Sequence, residues 1–83
     1  MYSIELTKSS KKFLKKLDLV NKKMIIHKLN LIKKEPFSYL KKLKGNKLWR
    51  LRIGKYRLIL DVLISGKRII VLRIGLRKKI YKN

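Results

Sequence analysis

A chain of 83 residues with 25 Lys and Arg against four acids carries a formal net charge of +21. That length expects one domain over residues 1–83, and that charge repels itself in any compact state, which favours an anionic partner: nucleic acid, a ribosomal surface, an acidic protein or an anionic membrane. The absence of cysteine excludes disulfide staples and thiolate metal sites, and no stretch approaches the roughly 18 uninterrupted apolar residues of a membrane span.

Residues 2–6 (Y-S-I-E-L) alternate apolar and polar and predict a short first strand. Ser9 or Ser10 then caps a helix that holds Phe13, Leu14 and Leu17 on one side. Asp18 caps a second helix over about residues 19–34. Its apolar residues form two stripes, Val20, Met24 and Leu31 beside Ile25, Leu29 and Ile32, so it is expected to touch more than one neighbour. Pro36 ends it. With almost no linker between them, the two helices predict an antiparallel hairpin. Residues 1–7 lack the cationic start and long apolar run of a signal peptide, so a cytoplasmic location is expected.

Residues 37–45 read as an irregular connection rich in lysine. Three strand candidates follow, residues 47–53, 56–64 and 68–74, separated by Gly54-Lys55 and Ser65-Gly66, both typical of tight hairpin turns. They predict an antiparallel meander. Strict alternation puts Trp49, Leu51, Ile53, Leu58, Leu60, Val62, Ile70, Leu72 and Ile74 on the core face. The two helices should cover that face, giving an α+β layer fold. Gly75 is expected to begin a basic tail, with all four glycines read as turn positions.

The same alternation puts Arg50, Arg52, Arg57, Ile59, Asp61, Ile69, Val71 and Arg73 on the opposite face. Within residues 47–57 (K-L-W-R-L-R-I-G-K-Y-R) each guanidinium is separated from the next by an apolar residue pointing inward. Guanidinium groups match phosphate geometry through bidentate hydrogen bonds. The basic tail, which also holds Lys78 and Lys79, is expected to bring Arg77 and Tyr81 to the rim of this face. Such a surface can take part in metal-free RNA cleavage, in which the ribose 2′-oxygen attacks the adjacent phosphate and the 5′-oxygen leaves. Arginines neutralise the charge that grows on phosphate. They are poor bases near neutral pH, so Tyr81 is the titratable candidate for proton transfer.

Other chemistries fail on inventory. A two-metal nuclease needs clustered carboxylates, and here Glu5, Asp18, Glu35 and Asp61 are scattered over four segments. No metal site and no cofactor are expected. His27 is the lone histidine and reads as a packing or surface residue. Trp49 and Tyr56 have the chemistry to stack on bases, though alternation turns Trp49 toward the core.

At this point the chain resembles the RelE/ParE superfamily of type II toxins. The carrying residues are L-K-G at 43–45, W-R-L-R-I-G-K-Y-R-L-I-L-D-V at 49–62 and I-G-L-R-K-K-I-Y at 74–81. The signature R-x-G-x-Y-R stands as Arg52, Gly54, Tyr56 and Arg57. The resemblance implies a RelE-like mRNA interferase, an endoribonuclease that cleaves mRNA on the ribosome, inhibits translation and leaves a 2′,3′-cyclic phosphate. Carried over residue by residue, it implies Arg57, Arg77 and Tyr81 as catalytic, with Arg50, Arg52, Arg73, Lys78 and Lys79 as RNA-binding. RelE itself has lysines where Arg50 and Arg52 stand. The implied partners are the ribosome, mRNA and a cognate acidic RelB-like antitoxin, with a monomeric free toxin and a heterodimer or heterotetramer once the antitoxin binds. No membrane partner is implied. The alternatives are a ParE-like toxin that inhibits DNA gyrase without nuclease activity, and a basic RNA- or ribosome-binding module.

Overall fold

The computed structural model describes residues 1–76. In chain order the elements are β1 (Ser3–Leu6), α1 (Lys8–Lys16), α2 (Leu19–Lys34), α3 (Pro36–Tyr39), β2 (Lys41–Lys42), β3 (Trp49–Ile53), β4 (Tyr56–Leu63) and β5 (Arg68–Leu76). The strands form one sheet in the order β1-β5-β4-β3-β2. β1 runs parallel to β5, and every other pair is antiparallel. α1 packs on β5 and β1, and α2 on β1 and β3, so the expected α+β arrangement with helices on one sheet face is present. Among the described residues no helix is long and apolar enough to cross a membrane.

The core lies between this helical layer and the sheet. Ile25 and Ile32 of α2 meet Leu58 and Leu60 of β4 and Ile69 and Val71 of β5, all at 0% exposure. Each such side chain contributes about 1.5–3 kcal/mol by leaving water. Asp18 caps α2 as expected: Oδ2 accepts the Asn21 backbone N–H at 3.2 Å and Oδ1 accepts the Asn21 side-chain amide at 2.7 Å.

Four expectations need correction. Thr7, not Ser9 or Ser10, caps α1, its Oγ1 accepting the Ser10 N–H at 3.2 Å. Residues 37–45 are less irregular than expected, because Pro36 stops α2 but occupies the first turn of α3, where its missing N–H costs nothing. β2 then adds an edge strand to β3. α2 does touch more than one neighbour, α3, β1 and β3, as expected, though Val20 at the start of one stripe is 76% exposed. Gly75 does not open a tail. It lies inside β5 opposite Arg57.

The fourth correction concerns the register of β5. Ile59 pairs with Arg73, but the next pair is Leu60 with Val71, so Leu72 is an extra residue in a β-bulge. A bulge shifts the inside–outside parity of everything beyond it. Ile69 and Val71 therefore face the core, and Ile70 and Leu72 are only half-buried, the reverse of strict alternation. The backbone near the bulge is tied to the start of α1. Ser10 Oγ donates to the Val71 carbonyl at 2.8 Å, and Thr7 Oγ1 to the Leu72 carbonyl at 2.9 Å. Ser10 is fully buried because it acts as this tether.

Candidate nucleic-acid interface

β3 and β4 build the basic face by alternation. Leu51 and Ile53 turn inward at 3% exposure, which leaves Arg50 and Arg52 on the outer face. Gly54, at φ +56°, turns the chain into β4. That left-handed conformation is one a side chain adopts at a cost of roughly 1–2 kcal/mol. Tyr56 then faces inward, with its ring edge-to-face against Phe13 at 5.8 Å between centroids.

Arg57 is the first outward residue of β4. In the ladder it has Arg52 directly opposite on β3 and Gly75 directly opposite on β5. Glycine within a strand marks close approach of a neighbour. Arg57 itself is buried at 5% exposure. The next row across the sheet is Lys41, Arg50, Ile59 and Arg73.

Two adjoining concavities open on this face. One, of about 210 Å³, is walled by Tyr39, Lys41, Arg50, Arg52 and Arg57. The other, of about 440 Å³, is walled by Lys42, Leu43, Lys44, Arg50 and Arg57. The first is smaller than the roughly 300–1,000 Å³ typical of drug-sized ligands. Its lining is cationic apart from one tyrosine.

The acids are committed elsewhere. Glu5 makes a bidentate pair with Arg68, at 2.6 and 2.9 Å, toward the β1 edge of the sheet. The Arg68 hydrogen bond holds the Glu5 carboxyl below its ordinary range. Asp18 caps α2, and the Asn21 side-chain amide likewise lowers its pKa. Glu35 accepts a hydrogen bond from Ser38 Oγ at 3.0 Å. Asp61 lies beyond Ile59 on β4, opposite Ile70. None of the four lines either concavity.

Of the site residues expected from sequence, Arg50, Arg52 and Arg57 converge on one pocket. Arg73 shares the face but stands across Ile59 from Arg50, outside the walls of both concavities. Arg77, Lys78, Lys79 and Tyr81 lie outside the described residues. Sequence reasoning missed Tyr39, Lys41, Lys42 and Lys44, because residues 37–45 offered no period. The signal was present in Leu40, an isolated apolar residue that is buried at 5% exposure and leaves its neighbours on the surface.

Trp49 is half-buried as part of the core margin, its ring 5.2 Å from that of Phe37 and capped by Lys42 Nζ at 4.9 Å. His27 is exposed on α2.

The fold is shared with solved toxin structures. An archaeal RelE–RelB complex from Pyrococcus horikoshii matches with a TM-score of 0.82 at 26% identity, over 94% of this chain and 97% of that one. The RelBE2 toxin–antitoxin complex of Mycobacterium tuberculosis matches with a TM-score of 0.82 at 22% identity, over 92% and 98%. The isolated Escherichia coli RelE toxin matches with a TM-score of 0.79 at 20% identity, over 98% and 92%. None of the curated proteins matches the chain significantly. In sequence, the family described as the ParE toxin of the type II toxin–antitoxin system, parDE, matches residues 4–81. That match takes in β1 through β5 and the whole basic face, and on it the chain belongs to the ParE toxin family of type II toxin–antitoxin systems, within the RelE/ParE superfamily.

Proposed function

We propose that this toxin is a ribosome-dependent mRNA endoribonuclease that works without a metal. The observation that carries the reading is the convergence of Arg50, Arg52 and Arg57 on one concavity, among whose described walls there is no carboxylate. Arginine is charged at any physiological pH and holds phosphate oxygens through paired N–H donors. Three such groups around one concavity suit a phosphodiester.

In the proposed reaction the ribose 2′-oxygen bonds to phosphorus, and the bond from phosphorus to the 5′-oxygen breaks. The products are a 2′,3′-cyclic phosphate and a 5′-hydroxyl. The 2′-hydroxyl proton leaves to a base, and the 5′-oxygen takes up a proton. Arg57 and Arg77 neutralise the phosphate oxygens in the transition state, while Arg50 and Arg52 align the backbone. Tyr81 serves as base or stacking group. Arg73, Lys78 and Lys79 extend the RNA track. The roles of Arg77, Tyr81 and the tail lysines come from resemblance alone. Lysines on the helices dock on ribosomal RNA.

The partner that restrains the toxin is an acidic RelB-like antitoxin. Antitoxin complexes of structurally similar toxins support this, as does a charge of +21. The reading is tested by adding the purified protein to programmed ribosomes and mapping mRNA ends. New ends at the A-site codon, absent with Arg57→Ala, are expected. Intact mRNA would overturn the nuclease reading.

A second reading has its own support in the family match, which carries the ParE description. On that reading the basic face binds DNA gyrase and cleaves nothing. Inhibition of gyrase supercoiling together with intact ribosomal mRNA would select it.

A further inference from the structure

We propose that Tyr39 is a base-stacking residue, whose ring receives one base of a single-stranded RNA while the adjoining phosphates lie on Arg50, Arg52 and Arg57. The inference rests on the RNA reading of the basic face. It assigns a role to a side chain outside the residues that carry the family resemblance.

Among the described residues, Tyr39 is the one uncharged side chain in the walls of the arginine pocket. It ends α3, where the Leu40 N–H closes the turn onto the Pro36 carbonyl at 2.9 Å. Pro36 and Leu40 are both buried, so the ring projects from an anchored segment. Tyr56 is buried at 3% exposure and Tyr2 is half-buried, whereas Tyr39 is 39% exposed. A large ring left in water contributes little to the core. Lys28 Nζ sits 5.4 Å from its centroid, a cation–π contact that steadies the ring.

The chemistry favours a base over a phosphate. The π face of an aromatic ring is electron-rich and gains nothing from a phosphate oxygen. A nucleobase presents a flat face of its own, and stacking on an aromatic side chain is tolerant of base identity. That base must come from a single strand, because in a duplex both of its faces are already stacked. Arginines that grip consecutive phosphates beside one aromatic wall are the combination that single-strand binders use.

The test measures binding of a 2′-O-methyl RNA oligomer, which lacks the attacking hydroxyl. A set of oligomers, each with one abasic site, scans the strand. Wild-type protein should lose roughly 10-fold in affinity at one abasic position. Tyr39→Ala should lose a similar factor on the intact oligomer and show no further loss at that position. Tyr39→Phe should bind as wild type does. Circular dichroism and thermal unfolding check that each variant is folded. Equal affinity of wild type and Tyr39→Ala overturns the proposal. So does a wild-type profile flat across all abasic positions. If Tyr39→Phe binds as weakly as Tyr39→Ala, the hydroxyl and not the ring makes the contact, and stacking is wrong. Because the oligomer cannot be cleaved, failure of the nuclease reading leaves this result standing. Absence of any RNA binding by wild type at ~150 mM salt removes both.

Discussion

Arg52 and Arg57 stand directly opposite each other across the β3–β4 ladder. Opposed residues in such a ladder lie about 4.5–5.5 Å apart at Cβ, and like charges placed there are destabilising. The hairpin accepts this because Leu51, Ile53, Tyr56 and Leu58 on its other face are buried. Both side chains also wall the same concavity, so an anion seated there is attracted by both guanidinium groups.

Arg52→Ala removes one of the two charges from an exposed position, so ribosomal cleavage should fall by roughly 10-fold or more while the free protein keeps its thermal stability. Arg57→Ala should be more damaging to cleavage, on the order of 10³-fold, the scale on which a transition-state arginine acts in phosphoryl transfer. Cleavage rates and unfolding midpoints measured on the same preparations check both. Unchanged cleavage by Arg57→Ala would remove Arg57 from the site.

RNA affinity should depend steeply on salt. Each phosphate neutralised contributes a log–log slope of about −0.7 on a single strand. Replacing Arg50 by Ala should reduce the slope by about that amount. Tyr39→Ala should weaken binding and leave the slope alone, because an uncharged ring releases no counterion. Titrations at several salt concentrations separate the two effects.

The β5 bulge makes adjacent isoleucines unequal. Ile69 is fully buried and Ile70 half-buried. Ile69→Ala should cost about 2–5 kcal/mol, the range for emptying a packed site, and Ile70→Ala markedly less. Ser10→Ala should cost about 0.5–1.5 kcal/mol, the net worth of one hydrogen bond, because the Val71 carbonyl keeps the Thr7 N–H at 3.3 Å, whereas Ser9→Ala on the exposed side should be near neutral. Denaturant midpoints test the set. Equal losses at Ile69 and Ile70 would contradict the bulged register.

Acid should destabilise the fold through Asp18 and Glu5. Both carboxyls are held below their ordinary values, Asp18 first by the Asn21 side-chain amide and Glu5 first by the Arg68 hydrogen bond. A carboxyl lowered in the folded state adds stability above its unfolded pKa, near 4, and loses it as pH falls through the folded value. The unfolding midpoint should therefore drop below about pH 4. Asp18→Asn keeps a capping side chain and, combined with Glu5→Gln, should flatten that drop. Superimposable acid limbs for wild type and the double variant would contradict the assignment.

Much of this protein was legible from local chemistry. Asp18 before an apolar period marks the start of α2, and glycine with lysine marks the β3–β4 turn. Alternation over residues 49–53 and 56–58 sorts the β3 and β4 arginines from the core, because polar and apolar residues there take turns without ambiguity. Residues 69–72 (I-I-V-L) are all apolar, so alternation within them has no sign. Only packing against α1, with Ser10 and Thr7 drawn to the carbonyls of Val71 and Leu72, decides that Ile69 and Val71 go in. Gly75 likewise reads as a turn until its neighbour across the strands proves to be Arg57. Composition and alternation determine a cationic face on a small α+β domain. Bringing Tyr39 and Lys41 to that face depends on where Leu40 is buried, and that depends on contacts between residues distant in the chain.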